Sequence, residues 1–495
     1  MEKLKNISIG NTYNHVSNPI LTKNEKNIIT VSYENSIINE EITALNNVYY
    51  NTSIKSYNYN QESKLLEDEQ KNNIDNITTS INGITIDNIN SMKRSRSIAY
   101  NENSKVYCFA HYENFKKPYK IGKVIINTSN VNLQKLTSSK FKILELNGEY
   151  LNNIRGKPIL KSFKNGFLCI FQTHDDKDKY SNIYCQELTT KESDPNTPIK
   201  LGVLKSITYY GFEPCVTISK NIYNKENVLI TWLELPESKK GYPISFEYNE
   251  ELRLRGKIIT DSGELKPSGY RGGDFLIPLE TGIDVANYDV QHACCVGINN
   301  KQLSVFFITG TSKNDIINKN YILKTAVFKF DPTGGYIDHY TKKPTGQLLF
   351  DKSGSLSTHK RKLNRIHFPI NNIFPEKSLA MATNDATICI LFHRKIKNSK
   401  NEDVLQLVKI ESDHSGVIPI VEGQGVQINE TICDKDSFNP NVISLNKEFI
   451  VTYEKCEKGL KPSIEVKPII STFRDLKKQM RRRMHNMRFD LLKIQ

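Results

Sequence analysis

The chain has 495 residues, 38% of them hydrophobic, and carries 68 Lys and Arg against 54 Asp and Glu, for a formal charge of +14 and a pI near 9.1. That apolar content suffices for a folded core, but it includes no run of about 20 apolar residues, so no transmembrane helix is expected. The length exceeds what one compact core usually serves. The positive charge favours anionic partners, whether nucleic acid, phospholipid or acidic protein, although the abundance of Lys, Asn and Ile is equally the mark of an AT-rich genome such as that of a parasite, an intracellular bacterium, a phage or a large DNA virus.

Along the chain the apolar runs come in pairs. Pro19-Ile-Leu leads to a run ending at Tyr33, Ser97-Ile-Ala-Tyr to one ending at His111, and Pro158-Ile-Leu to one ending at Gln172. Pro214-Cys-Val then leads to Trp232, His292-Ala-Cys-Cys-Val to Thr309, Leu379-Ala-Met to His393, and Pro440-Asn-Val to Tyr453. The seven end points are spaced by 78, 61, 60, 77, 84 and 60 residues. A unit that recurs in this way cannot bury its apolar face alone and must stack on its copies. Most units continue into a third run: Ile244 to Tyr248, Ile322 to Phe330, Val404 to Ile410, and Ile464 to Lys467. Asp/Gly clusters such as Asp331-Pro-Thr-Gly-Gly335 supply the positive φ of a tight reversal. Near-continuous apolar runs predict strands covered on both faces, and alternating later runs predict outer strands with one wet face.

Seven such meanders resemble the degenerate repeats of β-propeller proteins, over roughly residues 18 to 470. The resemblance implies an all-β fold, a seven-bladed β-propeller of four-stranded antiparallel blades. It is architectural: no Trp-Asp dipeptide series, kelch double glycines or Ser-x-Asp-x-Gly-x-Thr-Trp boxes are present, so it carries over no functional residue. Two or three separate β-sandwiches are the alternative partition.

Two polar insertions interrupt the repeat, near 60–94 and 338–376. The second contains Lys360, Arg361, Lys362 and Arg365, a candidate anion-binding loop. Residues 471–495 break the pattern and predict an amphipathic α-helix, because Phe473, Leu476, Met480, Met484, Met487, Leu491 and Ile494 recur at steps of three and four. Its other face is basic, with Arg474, Lys477, Lys478, Arg481, Arg482, Arg483, Arg488 and Lys493 against Asp475 and Asp490. Flexible methionine suits adaptable contact surfaces, which makes this segment the candidate partner-binding element.

Signals for chemistry are sparse. His111 and His393 fall at matching points of the repeat and would approach one end of a ring, yet neither has a carboxylate beside it in sequence. Glu34, Glu113, Glu234 and Glu454 recur after the second run and read as a repeat feature more than as an acid/base pair. His174-Asp-Asp-Lys-Asp178 lacks the ligand series of a calcium loop. The nine cysteines are odd in number and include no CxxC, and six of them (Cys108, Cys169, Cys215, Cys294, Cys295 and Cys389) sit in predicted strands, so reduced core thiols are expected. No metal and no cofactor are expected. The N-terminal Met1-Glu-Lys-Leu-Lys-Asn has no apolar stretch of the secretory kind, which points to the cytoplasm, or to a virion if the source is a large DNA virus. Together these features predict a non-enzymatic interaction scaffold or structural component, with a protein partner first and nucleic acid or another anionic surface second. A glycan-binding or glycan-hydrolysing propeller and a nucleic-acid binder are the alternatives.

Overall fold

The computed structural model describes residues 7–10, 14–37, 49–63, 65–68, 96–115, 121–130, 142–143, 145–146, 149–150, 154–174, 181–190, 200–208, 211–220, 226–234, 253–259, 274–276, 290–298, 302–309, 322–329, 364–365, 379–384, 387–395, 403–411, 427–433, 436–445, 448–457 and 460–469. All regular structure among them is β. After β1 (Ile7–Ile9) comes a first sheet of β2 (Asn14–Lys23), β3 (Ile28–Ile37), β4 (Tyr49–Asn60) and β5 (Leu65–Asp68). The second holds β6 (Arg96–Asn101), β7 (Val106–Phe115), β8 (Ile121–Asn130) and β9 (Lys142–Ile143), followed by a small hairpin of β10 (Glu145–Leu146) and β11 (Glu149–Tyr150). The third is β12 (Ile154–Phe163), β13 (Gly166–His174), β14 (Ser181–Thr189) and β15 (Lys200–Thr208). The fourth is β16 (Gly211–Lys220), β17 (Glu226–Glu234), β18 (Arg253–Ile259) and β19 (Asp274–Leu276). The fifth is β20 (Val290–Ile298), β21 (Gln302–Thr309), β22 (Ile322–Lys329) and β23 (Asn364–Arg365). The sixth is β24 (Ala380–Thr383), β25 (Thr387–Lys395), β26 (Asp403–Glu411) and β27 (Gln427–Cys433). The last comprises β28 (Ser437–Leu445), β29 (Glu448–Lys455) and β30 (Ser463–Ile469), and β1 returns to it as the outer strand, pairing Ile7 with Val466 and Ile9 with Ile464.

Every ladder is antiparallel and, apart from the β1–β30 pair, joins consecutive strands, so each sheet is a meander, the last one completed by β1. The second strands whose side chains are described are covered on both faces, as the apolar runs predict. In β29, Phe449, Val451 and Tyr453 pack with Cys389, Leu391 and Leu405 of the sixth sheet, while Ile450 packs with Val16, Ile29 and Tyr57 of the first. In β13, Phe167, Cys169 and Phe171 face Val106, Cys108 and Ala110 of the second sheet, and Leu168 and Ile170 face Val228, Ile230 and Trp232 of the fourth. The two-residue side-chain period thus divides β13 and β29 each between two neighbours. Contacts between first strands run from β2 to β6, β12, β16, β20, β24 and β28, and from β28 back to β2.

The repeated prolines now have a physical role. Pro19, Pro158, Pro214 and Pro440 all lie at register shifts of a first strand. That strand is the edge of its sheet, where a missing N–H costs no ladder bond. The residue before the proline turns left-handed at Asn18 (φ 50°), Glu213 (φ 50°) and Asn439 (φ 47°).

Several expectations need correction or fall elsewhere. The third strand of the fourth sheet is β18, not 244–248, which lies outside the described residues. The run Arg-Leu-Arg-Gly-Lys of β18 hides its strand character behind charge. The insertion at 60–94 contains the end of β4 and all of β5, and that at 338–376 contains β23. The seven end points also mix two registers. Tyr33, Trp232 and Tyr453 face the preceding sheet, whereas Gln172 and His393 lie one residue later and face the following sheet. A slip of one residue reverses the face. The expected helix at 471–495 lies outside the described residues.

Candidate functional site

Antiparallel alternation gives each sheet two ends. At one, the entry end, first strands begin and second strands finish. At the other, the turn end, first strands turn into second strands and third strands finish. Polar side chains concentrate at both ends, and they join sheet to sheet.

At the entry end one device recurs. The side chain at the finish of a second strand reaches the start of the next sheet's first strand. Gln172 Oε1 accepts from the backbone N–H of Glu213 at 3.2 Å. His393 Nε2 lies 3.1 Å from Ser437 Oγ. Glu454 Oε1 accepts from the backbone N–H of Asn18 and from Asn439 Nδ2 at 2.6 Å, and that same amide nitrogen donates to Asn18 Oδ1 at 2.8 Å. At Asn18 and Glu213 the left-handed residue before the proline turns its N–H toward the preceding sheet, and a buried donor left open there would cost stability. Glu454 is only 4% exposed, and His393 and Ser437 are 1% and 0% exposed.

At the turn end Asn101 Nδ2 donates to Ser162 Oγ (3.0 Å), Lys164 O (3.0 Å) and Gly166 O (2.6 Å) of the third sheet. The N–H of Lys164 in turn donates to Glu226 of the fourth at 2.7 Å. The last and first sheets meet through the Tyr59 hydroxyl, which donates to Glu448 Oε2. Burial, and then the carboxylate that accepts its proton, pushes Tyr59 far above the ordinary phenol range.

These placements decide several candidates. His393 sits at the position of Gln172 and Glu454, where the side chain ties one sheet to the next. The side chain of His111 lies outside the described residues. The four recurring glutamates separate: Glu454 ties sheets, Glu234 accepts from Trp232 Nε1 at 3.1 Å, and the side chains of Glu34 and Glu113 lie outside the described residues. Trp232 and Tyr33 are buried between sheets at 0% and 3% exposure, so neither lines an open pocket of the kind that would support the glycan alternative. Phe438, one residue before Asn439, remains 38% exposed at the entry end. The sequence signal that would have found the joints is the residue following the marker aromatic in Tyr453-Glu454, Phe171-Gln172 and Phe392-His393.

Cys108, Cys169, Cys185, Cys389 and Cys433 are buried free thiols, in line with core packing. Burial pushes the Cys169 thiol up to about 12 and raises Cys108 and Cys185 well above 9.0. Among the described residues no group of three His, Cys, Asp or Glu is placed to hold a metal, and no helix is long and apolar enough to cross a membrane. Arg365 ends the two-residue β23 and pairs in register with Lys324. Lys360, Arg361 and Lys362, and the tail residues Arg474, Lys477, Lys478, Met480, Arg481, Arg482, Arg483, Met484, Met487 and Arg488, lie outside the described residues.

No family model and no curated protein matches the chain. Solved structures do. A protein of unknown function from Dyadobacter fermentans is 8% identical with a TM-score of 0.43, over 95% of this chain and 99% of the other. Trypanosoma rangeli sialidase in complex with the inhibitor DANA is 9% identical with a TM-score of 0.37, over 80% of this chain and 58% of the sialidase. An endo-arabinase from Bacteroides thetaiotaomicron is 11% identical with a TM-score of 0.32, over 77% and 96%. In fold this is a β-propeller-like all-β protein of four-stranded antiparallel sheets.

Proposed function

We propose that the protein is a seven-bladed β-propeller that serves as a non-enzymatic interaction platform, a scaffold or structural component of a larger assembly such as a virion or a pathogen's complex. The observation that carries this reading is the cycle of first-strand contacts from β2 round to β28 and back, completed by the β1–β30 ladder. Such a wheel is a rigid support for loops. Its buried carboxylates, amides and imidazole are engaged in holding one blade to the next, which suits a frame whose contacts are made by the connecting segments and the basic C-terminal segment 471–495. Affinity capture with the full chain and with a chain ending at residue 470, each checked for β-structure by circular dichroism, tests it. Loss of partners from a still-folded truncated chain is expected. An unchanged partner set would overturn the assignment.

A second reading is favoured by one observation. Exposed Phe438 adjoins the Asn439, Asn18 and Glu454 cluster at the entry end, an aromatic plane beside amide and carboxylate groups of the kind that orients a sugar. Glycan arrays and hydrolase assays with Phe438→Ala as comparison test it, and silence in both removes it.

A further inference from the structure

Alternation along the strands decides which side chains fill each joint between sheets. In β3, Ile29, Val31 and Tyr33 turn to the last sheet, so Thr30 and Ser32 turn to the second. Thr22 and Ser56 pair with Thr30 in register and share its face, and Asn24 follows Thr22 by two residues. In the second sheet Ala99, Val106 and Cys108 turn to the third, so Tyr100 and Tyr107 turn to the first. Thr30 Oγ1 lies 3.5 Å from the Tyr107 hydroxyl, and the ring centres of Tyr100 and Tyr107 are 4.7 Å apart. Beside Ile20 and Ile28, the first sheet thus meets the second through a row of hydroxyls and an amide. Three polar atoms in this joint make no hydrogen bond and are sealed from solvent: Asn24 Nδ2, Ser32 Oγ and Tyr100 Oη. Burial, then the Glu25 carboxylate in the turn after Asn24, then Tyr107 and Glu102, push the Tyr100 phenol above its ordinary range.

The next joint shows why these atoms are stranded. Asn101 closes the first strand of the second sheet as Asn24 closes that of the first, and its Nδ2 reaches three acceptors in the third sheet, Ser162 Oγ among them. Ser162 stands one pair before the turn of its hairpin, the place that Tyr100 holds in the second sheet. A tyrosine carries its hydroxyl well past the point where a serine meets the amide, so Asn24 and Tyr100 each lose a partner. The other side of the first sheet has no such defect among the described residues. It packs Val16, Ile29, Val31 and Tyr57 on the last sheet and is tied there by Glu454 and by Tyr59 with Glu448.

We propose that the joint between the first and second sheets is a built-in opening, at which the first sheet parts from the second while it stays fixed to the last. A polar atom buried without a partner destabilises the closed joint and regains water once the sheets separate. Opening is therefore favoured here over joints whose polar atoms are paired. On the platform reading, the wheel is a split ring that widens at one place without breaking its other contacts.

Chemical labelling of the native full chain tests the proposal. In the variant Ser32→Cys, position 32 and the native Cys169 report on two joints in one molecule, since Ser32 and Cys169 are both 0% exposed and Cys169 lies between the second and third sheets. Iodoacetamide is expected to modify position 32 about tenfold faster or more, at a rate that low urea leaves unchanged. In the unaltered chain, tetranitromethane should nitrate Tyr100 and Tyr107 ahead of Tyr33 and Tyr57, which are buried at 3% and 2% exposure against the last sheet. Adding Tyr100→Phe to the Ser32→Cys chain removes a hydroxyl that makes no hydrogen bond. It should slow labelling at position 32 several-fold and leave the melting temperature unchanged or higher. Equal labelling at position 32 and Cys169, equal nitration of the two tyrosine pairs, or a melting temperature lowered by Tyr100→Phe would each overturn the proposal. All of these measurements are made without a partner, so the platform reading stands or falls separately.

Discussion

The backbone N–H of Asn18 donates to the carboxylate of Glu454 across 436 residues of sequence, and this contact helps join the last sheet to the first. Glu448, on the same face of β29, reaches Tyr59 at the opposite end of the same joint. One strand face therefore carries a carboxylate near each end and Ile450 between them, all turned toward the first sheet.

Replacing Glu454 with Ala removes the acceptor of the Asn18 N–H and one of the two acceptors of Asn439 Nδ2 in a part-buried site. A loss of roughly 1–3 kcal/mol is expected in urea unfolding. Glu454→Gln keeps one acceptor oxygen, as Gln172 does at the equivalent joint, and should cost clearly less. A Gln variant as unstable as the Ala variant would contradict the hydrogen-bond role.

Gly166 is fixed by space. A Cβ there would stand 2.0 Å from the carbonyl oxygen of Leu188, a backbone atom that cannot swing aside. Gly166→Ala should cost about 3 kcal/mol or more. At Gly202 the nearest atom is 3.0 Å away, so Gly202→Ala should be the milder of the two in parallel thermal melts.

Deleting residues 1–9 removes the outer strand of the last sheet and the burial of Ile9, which is 2% exposed. Ile9 alone contributes about 2–3 kcal/mol by burial, and the freed edge of β30 becomes a template for other strands. A lower melting temperature and concentration-dependent association in analytical ultracentrifugation are expected. A monomer of unchanged stability would show the ladder to be dispensable.

Alkaline pH should weaken the fold. A thiol whose folded pKa lies above its unfolded value holds its proton more tightly when folded. The stability contributed by Cys169 is complete below 9.0 and is lost as pH rises from there through about 12. Cys108, Cys185 and Tyr59 shift in the same direction. The urea midpoint should hold steady to about pH 8 and then fall, and Cys169→Ala should blunt the fall. A flat midpoint up to pH 11 would count against thiol burial.

Much of the architecture was legible because first and second strands are buried on two faces and announce themselves as apolar runs. The prolines at 19, 158, 214 and 440 were visible too, though their place at bulges was not. Outer strands escaped notice: β9, β19 and β23 span two or three residues, too few for a period to register. The Asn-Gly turn between β10 and β11 was a hairpin signal that passed unread. The sheet joints stayed hidden for another reason. Gln172, His393 and Glu454 do the same work with different side chains, and only the neighbouring sheet reveals that they share a position.

The seam between β1 and β30 sets an order of events during synthesis. Asn18 emerges first and must wait for Glu454, a delay of roughly 20–90 s at ordinary translation rates. Throughout that interval the apolar side of the first sheet, with Val16, Ile29 and Tyr57, has no cover from its eventual neighbour. The nascent chain thus needs shelter at its oldest part, and truncated products of stalled ribosomes would be prone to clump through that flank.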